Sequence, residues 1–385
     1  MQSPVSKLGE LFVSLVKSDF FQALLLIAAA LVLAWLIYKL ALKIRRYAIE
    51  KIAYKRFFSE EGVHAGDTLT LTEVIYNPTI VPLFFIDVGC YVSTGIEIDG
   101  VTAERDEKVQ YFVSRFHLMP FTKITRTHDI KTHIRNYYRL DEVEIYTNKR
   151  FVYISAPAEL YVYPAAVSDK NSVVARLNYL GNELTRSRYI KDPFMIAGLR
   201  NYMPGDPMNS INFKASARSL RNGMRELMVN NYDFSSQMNV TVYMDFDAPQ
   251  FLRIETPEYV RLIEAGLSYA AAIVAEAARQ GGKIGFAANT KGKNGALCVY
   301  FPPAAGSAQA KEILKCMSEL NYASVMSFTA LFDQNIKREK YDTDICVINF
   351  YTDPELESRI RELKRLGRGV TVITLDRHNA SRFRE

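Results

Sequence analysis

A chain of 385 residues, 49% of them hydrophobic, has room for two or three domains with cores of their own, and no low-complexity run marks it as disordered. Its net charge of +6 and pI near 8.9 come from local clusters, so charge gives no ground for a nucleic-acid partner and none is expected. The four cysteines (Cys90, Cys298, Cys316, Cys346) lack C-x-x-C spacing and the five histidines are scattered, which argues against zinc and for reduced, buried thiols.

The first element is apolar. Phe20 to Tyr38 contains Gln22 as its only polar side chain and is long enough to cross a hydrocarbon layer of about 30 Å. Trp35 and Tyr38 stand where an interfacial aromatic belt belongs, and Lys39, Lys43, Arg45, Arg46, Lys51, Lys55 and Arg56 follow at once. On the other flank Lys7 and Lys17 are offset by Glu10 and Asp19. The reading is residues 1–19 as a short extracytoplasmic N-terminus, 20–42 as a transmembrane helix and 43–56 as a basic juxtamembrane segment touching anionic lipid. The remainder of the chain is then cytoplasmic. A cleaved signal peptide fits less well, because the run exceeds a typical h-region and the charge lies on the wrong side.

Residues 57–165 read as an all-β, sandwich-like domain. Thr68 to Tyr76 alternates through Leu69, Leu71 and Glu73 and stops at Asn77-Pro78, a turn signal. Further short runs occur at Leu83–Val88, Val109–Val113, Val143–Tyr146, Phe151–Ile154 and Leu160–Tyr163. Residues 166–192 are polar and irregular, an expected connection.

The densest segment is Arg200 to Arg218, R-N-Y-M-P-G-D-P-M-N-S-I-N-F-K-A-S-A-R. Pro204-Gly205 pre-sets a tight turn, and Ile211 and Phe213 alternate with polar neighbours as a half-buried strand does. Asp206 is the one carboxylate among Arg200, Lys214 and Arg218, so an ion-paired cluster fixing the edge of a sheet is expected. The segment resembles the signature of the bacterial family known as domain of unknown function 58 (DUF58), roughly R-x-Y-x-P-G-D-x-x-R-x-I-D-W-x-x-S-A-R. Arg200, Tyr202, Pro204, Gly205, Asp206, Ile211, Ser216, Ala217 and Arg218 match; Asn209, Asn212 and Phe213 depart from it. Glu61-Gly62 with Gly66-Asp67, Asn77, Arg135-Asn136-Tyr137-Tyr138 and Tyr161-Val162-Tyr163-Pro164 are similar to motifs of the β-rich region preceding that signature. The resemblance runs from the apolar helix to the C-terminus.

Residues 193–385 are expected to hold this signature and an α/β doubly wound domain. Val240–Met244 is an apolar run of the kind a buried parallel strand shows. Thr256-Pro257 starts a helix reaching Arg279, and strands at Ile284–Ala288, Cys298–Phe301, Ile345–Phe350 and Val370–Leu375 interleave with helices near Ala308–Leu320 and Pro354–Leu366. The family resemblance implies a von Willebrand factor A-like (vWA-like) fold here.

In such a sheet ligands lie beyond the carboxyl ends of the strands, which directs attention to Asp245-Phe246-Asp247-Ala248-Pro249. Against the D-x-S-x-S of a vWA-like metal site, Asp245 matches, Asp247 and Pro249 replace the serines, and Asp353 in Tyr351-Thr352-Asp353 falls on the second carboxylate. A working Mg²⁺ site on Asp245 and Asp353, and a degenerate, weak or absent one on Asp245, Asp247 and Asp353, both stay open. The alternative is a haloacid dehalogenase-like phosphatase, with Asp245 attacking phosphorus and Asp247 protonating the leaving group. D-x-D alone is a weak motif. Such a site also needs a lysine for the phosphoryl group and a pair of downstream acids; Pro249 stands where a small hydroxyl residue is expected, and Thr352-Asp353 offers one acid. The expected function is therefore a membrane-anchored, non-enzymatic scaffold or adaptor. The resemblance implies a MoxR-type AAA+ ATPase as its protein partner, in assembly of an envelope-associated complex.

Overall fold

The computed structural model describes residues 19–98, 109–147, 150–167, 191–221, 224–234, 239–248, 256–292, 298–339, 343–351 and 353–375. Most of the expected connection, and Pro249 and Thr352 of the loop motifs, lie outside them. The chain divides into two compact units that cut across the boundaries read from the sequence.

The first unit comprises Met1–Glu61, Thr68–Lys131 and Tyr138–Leu160. It begins with helix α1 (Asp19–Glu50), whose side chains from Ala23 to Leu42 are all exposed; burial starts only at Ala48 and Ile49. A helix with no buried face is not the core helix of a globular domain. Among the described residues it is the one helix long and apolar enough to cross a membrane. It overruns the expected juxtamembrane segment, because β1 (Ala53–Phe58) already follows and buries Arg56. Arg56 Nε donates to the Ala156 carbonyl at 2.8 Å, so this cation serves the β-rich fold rather than a membrane surface.

The strands β2 (Gly62–His64), β3 (Thr68–Tyr76), β4 (Leu83–Ser93), β5 (Ile96–Ile98), β6 (Val109–Leu118), β7 (Lys123–Thr132), β8 (Asn136–Thr147) and β9 (Arg150–Tyr163) follow. One sheet runs β1-β3-β7-β5, and β9, β8, β4 and β6 are successive neighbours in the other. The two runs read at Phe151–Ile154 and Leu160–Tyr163 are a single strand, and β7, whose outward residues are all polar, carried no apolar alternation to announce it. On β3 the inward residues Leu69, Leu71 and Ile75 share their face with Glu73, which is 2% exposed. Glu73 accepts from the Tyr54 hydroxyl through Oε1, and from Ser114 Oγ and His128 Nε2, each at 2.8 Å, through Oε2. Burial acts to raise its pKa, yet the bonds from His128, Tyr54 and Ser114 outweigh that and hold it below the usual value. Asn77 closes β3 as expected: its amide donates to the carbonyls of Val81 (2.9 Å) and Met119 (3.1 Å) and its Oδ1 accepts from Thr79 N (3.0 Å). Of the cysteines, Cys90 and Cys346 are buried as expected, whereas Cys298 and Cys316 are only partly so; all are free thiols.

The second unit gathers Gly62–Asp67, Thr132–Tyr137 and everything from Tyr161 onward. The short segments that looked like family motifs in the β-rich stretch are thus packed with the C-terminal part. β2 pairs in parallel with the end of β9, Gly62 opposite Tyr161. Arg135 is 5% exposed and its Nε donates to Glu264 Oε1 at 2.9 Å, while Nη1 donates to the carbonyls of Met317 (2.6 Å) and Leu320 (3.1 Å). A guanidinium's five donors fit this fork of acceptors in a way an ammonium does not.

The signature then forms a small layer of its own. β10 (Lys191–Asn201), α2 (Phe213–Arg218), β11 (Leu220–Arg221), β12 (Met224–Arg225) and β13 (Met228–Phe234) follow, with β10 and β13 paired antiparallel and β11 with β12. Beyond them β14 (Val240–Met244), α3 (Pro257–Arg279), β15 (Lys283–Ala288), β16 (Val299–Ala305), α4 (Ser307–Glu319), α5 (Phe328–Ile336), β17 (Asp344–Asn349), α6 (Pro354–Arg365) and β18 (Val370–Thr374) build the α/β part. Its sheet order is β16-β15-β14-β17-β18, parallel except for β16 at the edge. α3 and α4 pack with Val240, Val242 and Met244 on one face, and α5 and α6 with Tyr243, Ile345 and Val347 on the other. Thr256 caps α3 by accepting from Tyr259 N at 3.3 Å, as the Thr-Pro pair foretold. α5 was missing from the sequence reading.

Candidate functional site

β14 is the central strand. The chain leaves it on one side to β15 and β16 and returns on the other as β17 and β18, so the strand order reverses between β14 and β17. Asp245 and Asp353 come just after those two strands, as the sequence reading required.

What the carboxylates do there differs from that reading. Asp245 is 3% exposed, its N–H continues the ladder to the Ile348 carbonyl at 2.9 Å, and its Oδ1 accepts from Asp247 N at 2.8 Å. This closes an Asx turn that aims Asp247 across the strand ends. Asp247 then accepts through Oδ1 from Asn289 Nδ2 (2.9 Å) and through Oδ2 from Phe328 N (2.8 Å). Phe328 is the first residue of α5, and Ser327 at the N-cap makes no side-chain cap bond of its own. Asp247 is the acceptor this helix start needs, supplied from another loop. Asp353 caps α6, accepting from Glu355 N at 3.1 Å.

Asn289, which follows β15, holds the loop together. Its Oδ1 accepts from Phe246 N at 2.7 Å and its Nδ2 donates to Met326 O at 3.1 Å as well as to Asp247. Phe246 is fully buried, and its carbonyl accepts from Tyr259 OH at 2.7 Å. Sequence reasoning passed over Asn289 and Phe328. An asparagine ending the buried run Ile284–Ala288, and the S-F-x-x-L-F spacing of Ser327 to Phe332, were the available signals.

Burial pushes the Asp245 carboxyl up to about 8; the bond from Asp247 N opposes this, the charges of Asp247 and Asp353 add to it, and Asn289 again opposes. Tyr351 is pushed up to about 12, first by burial and then by the charges of Asp245, Asp247 and Asp353. These four side chains therefore share one electrostatic environment. Among the described residues, however, no three His, Cys, Asp or Glu side chains form a group that could hold a metal ion. Both oxygens of Asp247 and one each of Asp245 and Asp353 are already accepting protein N–H donors. That donor set does not make a cage for Mg²⁺.

In the signature Asp206 pairs with Arg200, as expected, but at a turn outside the five-stranded sheet, and the expected strand is not formed. Gly205 adopts φ 107° in the turn, and Arg200 holds Asp206 bidentately, Nη1 to Oδ2 at 2.8 Å and Nη2 to Oδ1 at 2.6 Å. Met203 N also donates to Asp206 Oδ2 at 2.9 Å. Lys214 and Arg218 are exposed on α2, and the pairing of β10 with β13 sets this turn outside the five-stranded sheet. Ile211 makes only an isolated bridge to Val229. Phe213 opens a helix instead of a strand, because Asn212 Oδ1 accepts from Ala215 N at 2.9 Å as its cap. Ser216 Oγ donates to the Asn212 carbonyl and accepts from Met228 N, both at 2.8 Å, tying α2 to β13. Tyr202 N donates to the Leu227 carbonyl at 2.8 Å, and Pro204 shapes the same turn.

Residues 198–378 match the family profile described as "Protein of unknown function DUF58". The resemblance to DUF58 is therefore shown. The DUF58 match starts within β10 and takes in the signature, the switch point and the α/β sheet. No curated protein matches the chain. Similar solved structures include the CARDB domain of a Pyrococcus furiosus protein, 12% identical over 29% of this chain and 88% of that one, with a TM-score of 0.21. Another is a β-glucosidase from Listeria innocua, 13% identical over 29% of this chain and 17% of that one, with a TM-score of 0.18. At such scores neither likeness bears on fold class or activity.

Proposed function

We propose that this protein is a membrane-anchored, non-enzymatic adaptor whose α/β domain, vWA-like in type, engages a protein partner. The observation that carries this reading is the double use of Asp247: both its oxygens accept N–H donors of the chain, one at the start of α5 and one on Asn289. A general acid needs a free proton-carrying oxygen, and an attacking carboxylate must be ionised, which burial of Asp245 opposes. The phosphatase reading asks both residues to be something other than what they are built into. A metal at the switch point is, on the same argument, weak or absent.

Anchoring is supported by α1, exposed on every side and followed by cations, which favours the N-terminus outside and the folded units in the cytoplasm. A reporter fused after Glu385 that reacts from outside intact cells would contradict this orientation. The family resemblance proposes a MoxR-type AAA+ ATPase as the partner, with the adaptor assisting assembly of an envelope-associated complex. Mild detergent extraction of the full-length chain, followed by identification of bound proteins, tests it. The expected result is a AAA+ ATPase retained by the wild type and lost when the exposed surface of the α/β domain is altered. Absence of any bound ATPase, together with hydrolysis of an aryl phosphate by the purified chain, overturns it.

A further inference from the structure

At the foot of α1, within the first unit, lies a half-open cavity of about 520 Å³ that the adaptor reading does not use. Lys39, Leu42, Lys43, Arg46 and Ile49 recur at the three- and four-residue spacing that places them on one helix face. Phe151 and Val152 at the start of β9 form the facing wall. The lining holds four cations, the fourth being Arg45, against the single acid Glu50, which pairs with Arg46 at 3.0 Å. Phe151 is 55% exposed, an apolar ring left in the open beside this charge.

Depth decides what fits. Tyr38 ends the apolar run, and from Lys39 to Arg46 the helix climbs about 10 Å at 1.5 Å per residue. The polar layer on each side of a bilayer is about 5–8 Å thick, so with Tyr38 at the top of the acyl chains Lys39, Leu42 and Lys43 stand within the headgroup layer, and the long Arg46 side chain reaches it from the outer edge. A second aromatic tip stands at the same foot: Phe84, 43% exposed, accepts from Arg45 Nη2 through its carbonyl at 3.4 Å. A flexible basic tail would attract lipid diffusely, whereas here β9 walls the cations into a cavity with an apolar side.

We propose that this cavity binds the headgroup of an anionic phospholipid, its phosphate among Lys39, Lys43 and Arg46, its glycerol end against Leu42 and Phe151 and its acyl chains directed toward Tyr38. The proposal rests on the membrane-anchored reading above. The test reconstitutes the full-length chain into phosphatidylcholine vesicles with or without phosphatidylglycerol and counts the lipids it retains on mild re-extraction by native mass spectrometry. The wild type is expected to retain phosphatidylglycerol well above its bulk proportion. Lys43→Gln should weaken retention about fivefold, and Lys43→Gln with Arg46→Gln further, while Lys43→Arg keeps it. Retention at the bulk proportion by a chain that still floats with the vesicles after alkaline washing overturns the site and leaves the anchor standing. Failure to float with phosphatidylcholine vesicles at all overturns both. Displacement of the lipid by inorganic phosphate at low concentration identifies the occupant as a soluble anion and also overturns the proposal.

Discussion

Glu73 in the β-rich unit and Asp245 in the α/β unit are both nearly inaccessible carboxyls at inward positions of a strand or its end, yet their acidities move in opposite directions. Glu73 is met by a tyrosine hydroxyl, a serine hydroxyl and an imidazole, enough donors to hold the ionised form. Asp245 accepts from one backbone N–H, is aided only weakly by Asn289, and faces two further carboxylates. Burial is common to both, so the donors and the neighbouring charges decide the sign. The first carboxylate is a structural centre complete in itself; the second is an acid kept from ionising by burial first, and then by the charges of Asp247 and Asp353, with too few donors to offset them.

Breaking the first centre should have the largest effect. Glu73→Ala leaves His128, Tyr54 and Ser114 facing a void and is expected to cost about 3–5 kcal/mol in chemical denaturation. Because the folded pKa of Glu73 is depressed, its contribution is present above the unfolded value near 4.5 and is lost as pH falls through the lower folded value. The wild type should therefore lose stability in acid, and Glu73→Ala should flatten that loss.

Asp245 should behave in the opposite sense. Its folded pKa is raised to about 8, so the favourable protonated state is fully present below the unfolded value of 3.8 and is lost as pH rises through 8. Asp245→Asn keeps an acceptor for Asp247 N and is expected to stabilise the chain by about 1–3 kcal/mol at pH 9, with little effect at pH 4. A melting profile across that range separates the two centres.

Smaller effects belong to the caps. Asp247→Ala removes the acceptor at the start of α5 and the partner of Asn289, a loss of about 1–2 kcal/mol visible as a lower melting temperature. Asn212→Ala uncaps α2 and should cost about 1 kcal/mol. Asp206→Ala, whose partner Arg200 is open to solvent, should lower the melting temperature least of all.

The α/β strands were legible because each is a continuous apolar run between helices with visible starts: Val240–Met244 and the Thr256-Pro257 cap stand where the sequence put them. The uncapped helix α5 was not legible, because its N-terminal acceptor, Asp247, lies 81 residues away and only the fold brings it there. The same holds for the short motifs around Gly62 and Arg135, which sit among strand signals but pack with the C-terminal unit through acceptors such as Met317 and Leu320. Phe213 was misread as strand since its apolar alternation was weighed above the capping asparagine immediately before it. For the candidate site, the positions of Asp245 and Asp353 followed from the strand ends, but the use of Asp247 did not; its oxygens accept from Asn289 and Phe328, remote in sequence.

The proposal at stake is that the carboxylates at the switch point serve the fold and form no working metal or phosphoryl-transfer site. Titration of the full-length chain with Mg²⁺ and Mn²⁺, followed by calorimetry and thermal melting with Asp245→Ala alongside, tests it most directly. The account predicts no saturable heat and an unchanged melting temperature at millimolar metal, for wild type and variant alike. Tight binding that raises the melting temperature and disappears in Asp245→Ala would contradict it.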